Sequence, residues 1–425
     1  MEPVKLSPRA AALRPSPTLA IEAKAKALRA QGHDVLSLSA GEPDFDTPEH
    51  IKQAAGDAMK AGFTKYTPAS GIPELKAAIV KRALALQGLK YEPKQAVVSC
   101  GAKHAIANAL FALVGEGDEV LIPAPFWVSY PSMARLAGGS PRILYPDGTA
   151  VPWDPDAARL PAPGTGFKIT PATLESALTP RTKVVILNAP SNPTGCVYSG
   201  EELRALADVL KCRPGVWVIS DEIYDALVYA GKARSIANVA PELADRIIVV
   251  NGVSKTFAMT GWRIGWALGP ESVIAAIGNL QSQTTSNPTS IAQMAALAAI
   301  TGPQDSVASM LAAFARRRVA ITNGLNGITG VDCALPDGAF YVFPDVRAIH
   351  GNPAVRARLG LSGTDPRGFS AALAAHLLDS ARVALVPGAE FGYESHLRLS
   401  FACSDDTIRK AVERIGEAVS GLAKG

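Results

Sequence analysis

The fold of this chain is decided by three apolar runs in its centre, KVVILN (183–188), VWVIS (216–220) and RIIVV (246–250). The runs are rich in β-branched residues and lack the polar alternation of a strand with one face in water. A helical pattern, GEELRALADVLKC (200–212), separates the first run from the second. Unalternated strands separated by helices indicate a mostly parallel sheet with helices on both faces, which is an α/β fold.

The same rhythm extends outward from the centre, through QAVVS (95–99), DEVLIP (118–123) and IGWALG (264–269). It fades near residue 300, where longer helices and short strands predict a smaller α+β domain. We therefore predict an N-terminal arm with part of the small domain at 1–47, a large domain at 48–300 and a small domain at 301–425. The Pro- and Gly-rich segment at 147–166 reads as a surface loop or insertion.

Composition narrows the class of protein. The chain has 425 residues, 48% of them hydrophobic, and a net charge of +4, which suits a globular protein of more than one domain and gives no basic patch for nucleic acid. The basic run at 316–318 lies in a helical pattern and reads as a solvated helix face. The five cysteines show no CxxC spacing and the histidines no HExxH, so we expect no metal and no disulfide framework. No signal peptide or apolar run of about 20 residues is visible, which predicts a cytoplasmic protein without a membrane span.

Polar, aromatic and glycine residues follow five of the predicted strands. The tails are CGAKH, APFWVSYP, APSNPTG, DEIY and NGVSK, the last ending at Lys255. The carboxyl ends of strands in an open α/β sheet form the edge where ligands bind. The five tails therefore predict one ligand site.

Each tail alone has an ordinary explanation. Gly101 and Ala102 open a helix and could receive a phosphate, or could be a plain helix start. Asp221 could pair with a protonated ring nitrogen, or could cap a helix. Asn192 could donate to a phenolate and Tyr224 could contact the same ligand, or the asparagine could mark a turn. Only the combination of these groups favours a ligand.

Lys255 supplies the remaining chemistry. A lysine among apolar groups and other cations has a lowered pKa and becomes a nucleophile for an aldehyde. Arg263, eight residues later, can bind a phosphate with two hydrogen bonds. Phosphate ligands, an aspartate for a pyridinium, donors for a phenolate and a lysine for an aldehyde together indicate pyridoxal phosphate.

The sequence resembles the fold-type I, class I pyridoxal-phosphate-dependent aminotransferases, and within them the bacterial aspartate/prephenate aminotransferase branch. The motifs that carry the resemblance are AGEPDFDTPEHI, TKYTPASGIPELK, GDEVLIPAPFWVSYP, APSNPTG, SDEIY, VSKTFAMTGWRIGW, DGAFYVFP and LRLSFA. They cover most of the chain. The resemblance implies a large domain with a seven-stranded type of sheet, a small domain, and a homodimer with shared active sites.

The resemblance also implies roles at matching positions. Lys255, Asp221 and Tyr224 are the implied catalytic residues, with Lys255 binding the cofactor covalently and moving the substrate proton. Tyr66 is implied to reach the phosphate of the neighbouring subunit. The implied cofactor contacts are Tyr66, Gly101, Ala102, Lys103, Trp127, Asn192, Asp221, Tyr224, Ser254, Lys255 and Arg263. The implied substrate contacts are Arg14, Thr18, Gly41, Lys103, Trp127, Asn192 and Arg398, of which Arg398 takes the α-carboxylate.

Two departures from the family pattern bear on function. Gly252 stands where the family often has a serine phosphate ligand, three residues before the lysine. The arginine that binds the distal carboxylate in animal-type enzymes is replaced by Ser282, so Lys103 and Arg14 are the expected partners of an acidic side chain.

We therefore predict ping-pong transamination between an acidic L-amino acid, aspartate or glutamate, and a 2-oxo acid, 2-oxoglutarate or oxaloacetate. Prephenate or broader aromatic amino transfer remains an alternative, because Lys103 and Arg14 could also accept prephenate. A lyase on the same cofactor is a further one. A non-catalytic transcription regulator would need an added DNA-binding module, and the family pattern begins within the first twenty residues.

Overall fold

The structure is a computed structural model that describes residues 6–11, 13–15, 17–162, 164–363 and 365–424. Its strands, labelled in chain order, are β1 Leu36–Ser37, β2 Ala96–Ser99, β3 Glu119–Pro123, β4 Ser140–Leu144, β5 Ala150–Pro152, β6 Thr182–Asn188, β7 Trp217–Asp221, β8 Ile247–Gly252, β9 Gly265–Leu268, β10 Tyr341–Val342, β11 Val383–Ala384, β12 Val386–Pro387 and β13 Leu397–Ser400.

The α-helices are α1 Pro8–Ala11, α2 Pro17–Ala30, α3 Glu49–Lys60, α4 Pro73–Gln87, α5 Ala102–Leu113, α6 Tyr130–Leu136, α7 Pro171–Ala177, α8 Gly200–Lys211, α9 Ile236–Val239, α10 Glu271–Thr284, α11 Ser290–Thr301, α12 Asp305–Asn326, α13 Arg347–His350, α14 Pro353–Arg358, α15 Phe369–Ser380 and α16 Asp405–Lys424. Short 3-10 turns lie at Pro93–Gln95, Pro241–Arg246, Thr260–Trp262 and Gly388–Phe391.

The main sheet has eight strands in the order β2-β9-β8-β7-β6-β3-β4-β5. The five central neighbours β8, β7, β6, β3 and β4 pair in parallel, whereas β9 is antiparallel to both of its partners. The predicted α/β class is thus confirmed. The sheet differs from the expected seven strands by β5, a three-residue edge strand that belongs to the 147–166 segment.

Two apolar layers cover the two faces of this sheet, because alternate residues of its buried strands point to opposite faces. On β6, Val185 and Leu187 belong to one core and Val184 and Ile186 to the other. Burial on both faces is the physical reason why the strands read as unalternated apolar runs.

A third core is built from α12, α15, α16 and the strands β10 and β13 of a three-stranded sheet ordered β10-β13-β12. Val386 of β12 packs instead in the core that contains Val184 and Ile186. The proposed boundary at 300 and 301 falls one residue before the end of α11, whose alanines pack in the first core; Phe314 of the next helix, α12, packs in the third. Strand β1 pairs with β11, so the N-terminal part of the chain packs against the same region. We keep 1–47, 48–300 and 301–425 as the proposed division.

The 147–166 segment is tied to two other parts of the chain. Its Asp156 forms a bidentate ion pair with Arg14, in which both N–O distances are 2.8 Å. Its Arg159 bridges to the backbone around Tyr393: the Arg159 N–H donates to Gly392 at 3.1 Å, and the Arg159 carbonyl accepts from Glu394 at 2.9 Å. The 147–166 segment is therefore bound to the rest of the chain by an ion pair and by backbone hydrogen bonds, and it is not only a surface loop.

Within the described ranges no helix is long and apolar enough to cross a membrane. The same described residues contain no group of three or more His, Cys, Asp or Glu side chains that could hold a metal ion.

Candidate active site

A cavity of about 400 Å³ opens at the carboxyl ends of β6, β7 and β8. The strand tails meet there because neighbouring parallel strands end at the same edge. The cavity wall contains twelve of the residues that the sequence assigns to the site, namely Thr18, Gly41, Ala102, Lys103, Trp127, Asn192, Asp221, Tyr224, Ser254, Lys255, Arg263 and Arg398.

Lys255 follows β8 and projects into this cavity. Its Nζ donates a hydrogen bond to the carbonyl oxygen of Gly41. Burial lowers the pKa of Lys255 to about 8; the carboxylate of Glu42 opposes the shift, and the cations Arg263 and Arg398 add to it. A large share of this amine is therefore neutral near pH 8, and the neutral amine is the nucleophile for a carbonyl group.

This lowered pKa predicts a pH profile for covalent attachment. The rate at which Lys255 attaches to added pyridoxal should rise about tenfold per pH unit below pH 8, because the neutral fraction grows by that factor, and then level off. Stopped-flow absorbance of the full-length protein measures the rate. A rate that climbs steadily to pH 10 would show an ordinary lysine and contradict the assignment.

Asp221 ends β7 beneath the cavity. Its Oδ2 accepts a hydrogen bond from the Tyr130 hydroxyl at 2.6 Å, and its Oδ1 accepts one from the Ile223 N–H at 3.2 Å. Burial raises the pKa of Asp221 to about 6, although both hydrogen bonds act in the opposite direction. A buried carboxylate of this kind is stabilised by a cationic partner, which the described protein groups in contact with it do not supply.

Tyr224 and Asn192 both line the cavity. The Tyr224 and Tyr341 hydroxyls share a hydrogen bond of 2.9 Å, and both rings are buried. The backbone N–H of Asn192 donates to Asn188 Oδ1 at 2.9 Å, and its side-chain Oδ1 accepts from Arg398 at 3.2 Å. The Asn192 amide is thus held with its oxygen engaged, which leaves its nitrogen as the donor for a ligand.

The turn from Cys100 to Ala102 leads into α5 at the cavity edge. Gly101 has φ +90°, and a Cβ there would lie 2.5 Å from Nη2 of Arg263, so no side chain fits without displacing that arginine. Arg263 itself has φ +56°, an uncommon conformation for a residue with a side chain. Its guanidinium donates to Thr260 O at 2.9 Å and to Cys100 O at 3.3 Å. Free helix N–H groups, a glycine and a guanidinium converge here, which fits a phosphate.

Gly252 has a structural explanation. It pairs with Gly265 across β8 and β9, and an added Cβ would lie 3.0 Å from Gly265 Cα and 3.0 Å from the carbonyl oxygen of Ile264. A serine at this position would have to push the two strands apart. The two strands therefore pack closely at Gly252, and Ser254 is a nearby hydroxyl-bearing residue of the cavity wall.

Arg398 is buried on β13 at 2% exposure. Its Nη2 donates to Ser39 O at 2.6 Å, whereas its Nε has no partner among the described residues. The guanidinium lies 4.7 Å from the Tyr341 ring centroid. A buried guanidinium with an unsatisfied donor is suited to a carboxylate.

Lys103 lies across the cavity on α5. Its Nζ is 5.0 Å from the ring centroid of Trp127, and the Trp127 ring meets Tyr130 edge to face at 5.3 Å between centroids. Partial burial and the charge of Arg263 lower the pKa of Lys103. The cavity therefore holds three cations besides Lys255, which favours anionic ligands.

Three predicted site residues lie outside the cavity wall. Gly101 is directly behind it, at the turn before α5. Tyr66 is 89% exposed on the surface. Arg14 is exposed and paired with Asp156, and it lines an adjoining cavity of about 570 Å³ whose wall also includes Lys103. Thr18 lines the cavity.

Several residues of the cavity wall were not predicted from the sequence. They are Glu22, Glu42, Ser129, Tyr130, Asn188, Thr260 and Tyr341. Tyr130 lies in the strand tail APFWVSYP, three residues after Trp127, so the clustering at strand ends could have found it. Tyr341 lies in DGAFYVFP and Glu42 in AGEPDF, motifs whose individual residues carry no chemical signature.

Known proteins are similar to this chain along most of its length. Residues 33–415 match the family model of aminotransferase class I and II. An aspartate aminotransferase from Geobacillus stearothermophilus is 50% identical over 97% of this chain and 98% of its own. An aspartate/prephenate aminotransferase from Cereibacter sphaeroides is 48% identical over 98% of this chain and 99% of its own. The structure of Thermus thermophilus aspartate aminotransferase with maleate has a TM-score of 0.85 at 41% identity, covering 98% of this chain and 100% of that one.

These matches confirm the resemblance seen in the sequence, including the bacterial aspartate/prephenate branch, and they favour amino transfer over the lyase alternative. The family implies pyridoxal phosphate as cofactor. With Lys255, Asp221 and Arg398 brought to one cavity and the family model covering almost the whole length, the chain belongs to the class I and II aminotransferases.

Proposed function

We propose that this chain moves the amino group of aspartate or glutamate to a 2-oxo acid, 2-oxoglutarate or oxaloacetate, by a ping-pong reaction that uses pyridoxal phosphate. The relatives named above are an aspartate aminotransferase and an aspartate/prephenate aminotransferase, and the Thermus aspartate aminotransferase was solved with maleate, a dicarboxylate. Both support an acidic substrate.

The residues of the cavity fit the cofactor. The glycine turn at Gly101 and Arg263 would hold its phosphate, and Asp221 would receive its ring nitrogen. Asn192 and Tyr224 would contact its ring oxygen, with Trp127 and the other assigned contacts around them. When bound, pyridoxal phosphate supplies an electron sink for the pair left on the substrate α-carbon.

The protein groups then bind the substrate and move its proton. Arg398 would bind the α-carboxylate, with the Gly41 backbone beside it. The neutral amine of Lys255 would take the α-proton and hold it for return, which its lowered pKa permits near neutral pH. Asp221, as an anion, would stabilise the positive charge on the protonated ring nitrogen of the cofactor.

The main observation in favour of an acidic substrate is that two cations, Arg398 and Lys103, line one cavity. One cation accounts for the α-carboxylate that every amino acid has. The second, over Trp127, has no anionic partner among the described residues and suits a second carboxylate. Arg14 could join it only after leaving Asp156.

Replacing Lys103 with alanine tests this proposal. We expect kcat/KM for aspartate to fall roughly 10- to 100-fold, the loss of one hydrogen bond to a charged group, and kcat/KM for alanine to change less than about threefold. Steady-state kinetics with the two donors measure the difference.

Lys410→Ala is the matched control, because it removes one positive charge from the exposed face of α16, where Lys410 pairs with Asp406. Lys410→Ala should leave kcat/KM unchanged for both aspartate and alanine. An unchanged aspartate reaction in Lys103→Ala would rule out the second-carboxylate role.

The proposal includes a homodimer with shared active sites, in which Tyr66 of one subunit reaches the phosphate site of the other. Its support is the exposed position of Tyr66, away from the cavity of its own subunit. The cytoplasm is the proposed compartment, since the five cysteines are dispersed and free.

A further inference from the structure

His104 is a polar residue of the α5 first turn that the proposed reaction does not use. It follows Lys103 in the chain but does not line the cavity. Its ring lies behind the turn, on the side of the Cys100 backbone. Both ring nitrogens have partners, as expected of a partly buried polar side chain.

The Nδ1 atom of His104 accepts a hydrogen bond from the Cys100 N–H at 3.2 Å. The Nε2 atom lies 3.1 Å from the Asn108 side-chain nitrogen, one helical turn further on. Since Nδ1 accepts from a backbone N–H, the neutral ring carries its proton on Nε2. A half-turn of the Asn108 amide, which exchanges its nitrogen and oxygen, lets its oxygen accept that proton.

Burial and the charge of Arg263 lower the pKa of His104, so the neutral ring is favoured. A protonated ring would point an N–H of Nδ1 at the N–H of Cys100. The neutral form is therefore the one that holds the turn.

The Cys100 peptide is held from two sides. Its N–H is bound by His104, and its carbonyl oxygen is bound by Arg263 at 3.3 Å. The following residue, Gly101, closes the turn with a bond from its N–H to Ser99 O at 2.7 Å. This turn fixes the direction of the first N–H groups of α5, those of Ala102 and Lys103, which have no partner within the helix.

We propose that His104 is a positioning residue for the cofactor phosphate, holding the turn so that the N–H groups of Ala102 and Lys103 and the guanidinium of Arg263 face one point. This inference rests on the proposed function, because it assumes that the phosphate binds at this turn. His104 itself does not touch the phosphate. It acts through the Cys100 backbone.

The test compares binding of pyridoxal phosphate with binding of pyridoxal, which lacks the phosphate, to the full-length protein by equilibrium dialysis. In His104→Leu the ring nitrogens are replaced by carbon. We expect its Kd for pyridoxal phosphate to rise about five- to tenfold, as for the loss of one hydrogen bond, and its Kd for pyridoxal to change less than about twofold.

Two conservative variants separate positioning from a structural role. Asparagine places an oxygen where Nδ1 lies, so His104→Asn should bind pyridoxal phosphate within about twofold of the unchanged protein. Glutamine lacks an acceptor at that position, so His104→Gln should resemble His104→Leu. This pair keeps the test decisive if the leucine variant does not fold.

Two results would overturn the inference: equal weakening of both ligands, or unchanged pyridoxal phosphate binding in both the leucine and the glutamine variant. Failure of the proposed function looks different. In that case the unchanged protein would bind pyridoxal phosphate no more tightly than pyridoxal.

Discussion

Lys255→Ala is expected to lower kcat for amino transfer by at least about 10⁴-fold. The substitution removes the nucleophile that binds the cofactor and, with it, the base that takes the α-proton; proton transfer by a positioned side chain alone contributes about 10²–10⁴-fold. A coupled assay of 2-oxo acid formation from aspartate measures the loss. The absorbance band of the protein-bound cofactor should change as well.

Lys255→Arg is the control for charge. Arginine keeps a cation near Gly41 and Glu42 but stays protonated, so it cannot serve as nucleophile or base. We expect it to be as inactive as the alanine variant, with a circular dichroism spectrum like that of the unchanged protein. Activity of either variant within about tenfold of the unchanged protein would refute the role of Lys255.

The position of Lys255 could be predicted because it depends on a local rule. A strand buried on both faces leaves the sheet at its carboxyl end, and the residues that follow must lie at that edge. Lys255 and Asn192 follow such strands, and Asp221 is the last residue of one. Three separate apolar runs therefore predict that these residues lie in one cavity, and the prediction needs no knowledge of how the helices pack.

Contacts between distant segments could not be predicted in the same way. The Tyr224–Tyr341 hydrogen bond joins residues 117 positions apart, and the Arg398–Ser39 bond joins residues 359 positions apart. Such pairs depend on how the third core packs against the sheet. No periodicity in either segment contains that information.

Two residues, Arg14 and Gly252, have contacts in the structure that their sequence patterns do not predict. We expect Arg14 at the substrate, and in the structure it pairs with Asp156 of the 147–166 segment. The pairing of this segment with β4 could not be predicted from its Pro and Gly content. Gly252 stands where the family often has a serine phosphate ligand, and in the structure an added Cβ there would lie 3.0 Å from Gly265 Cα. In both cases the deciding partner lies far away in the chain or on the neighbouring strand.

Asp221→Asn is expected to lower kcat by about 10²–10³-fold, the size of effect seen when one preorganised electrostatic contact is removed. Asparagine has the same shape; its oxygen can still accept from the Ile223 N–H, and its NH2 group can donate to the Tyr130 hydroxyl oxygen, so the fold should persist. It lacks the negative charge that holds a protonated ring nitrogen. The loss should therefore appear in kcat measured with saturating aspartate and cofactor.

Tyr130→Phe separates the charge of Asp221 from its hydrogen bonds. The Tyr130 hydroxyl donates to Asp221 at 2.6 Å and works against the burial that raises the pKa of this carboxyl to about 6. Its removal should raise that pKa further in the protein without cofactor. Once a cationic partner is bound, the partner's charge favours the anion more strongly than one hydroxyl does. We therefore expect kcat of Tyr130→Phe to fall less than about tenfold, and a fall as large as that of Asp221→Asn would mean that the hydroxyl, not the charge, is what the site requires.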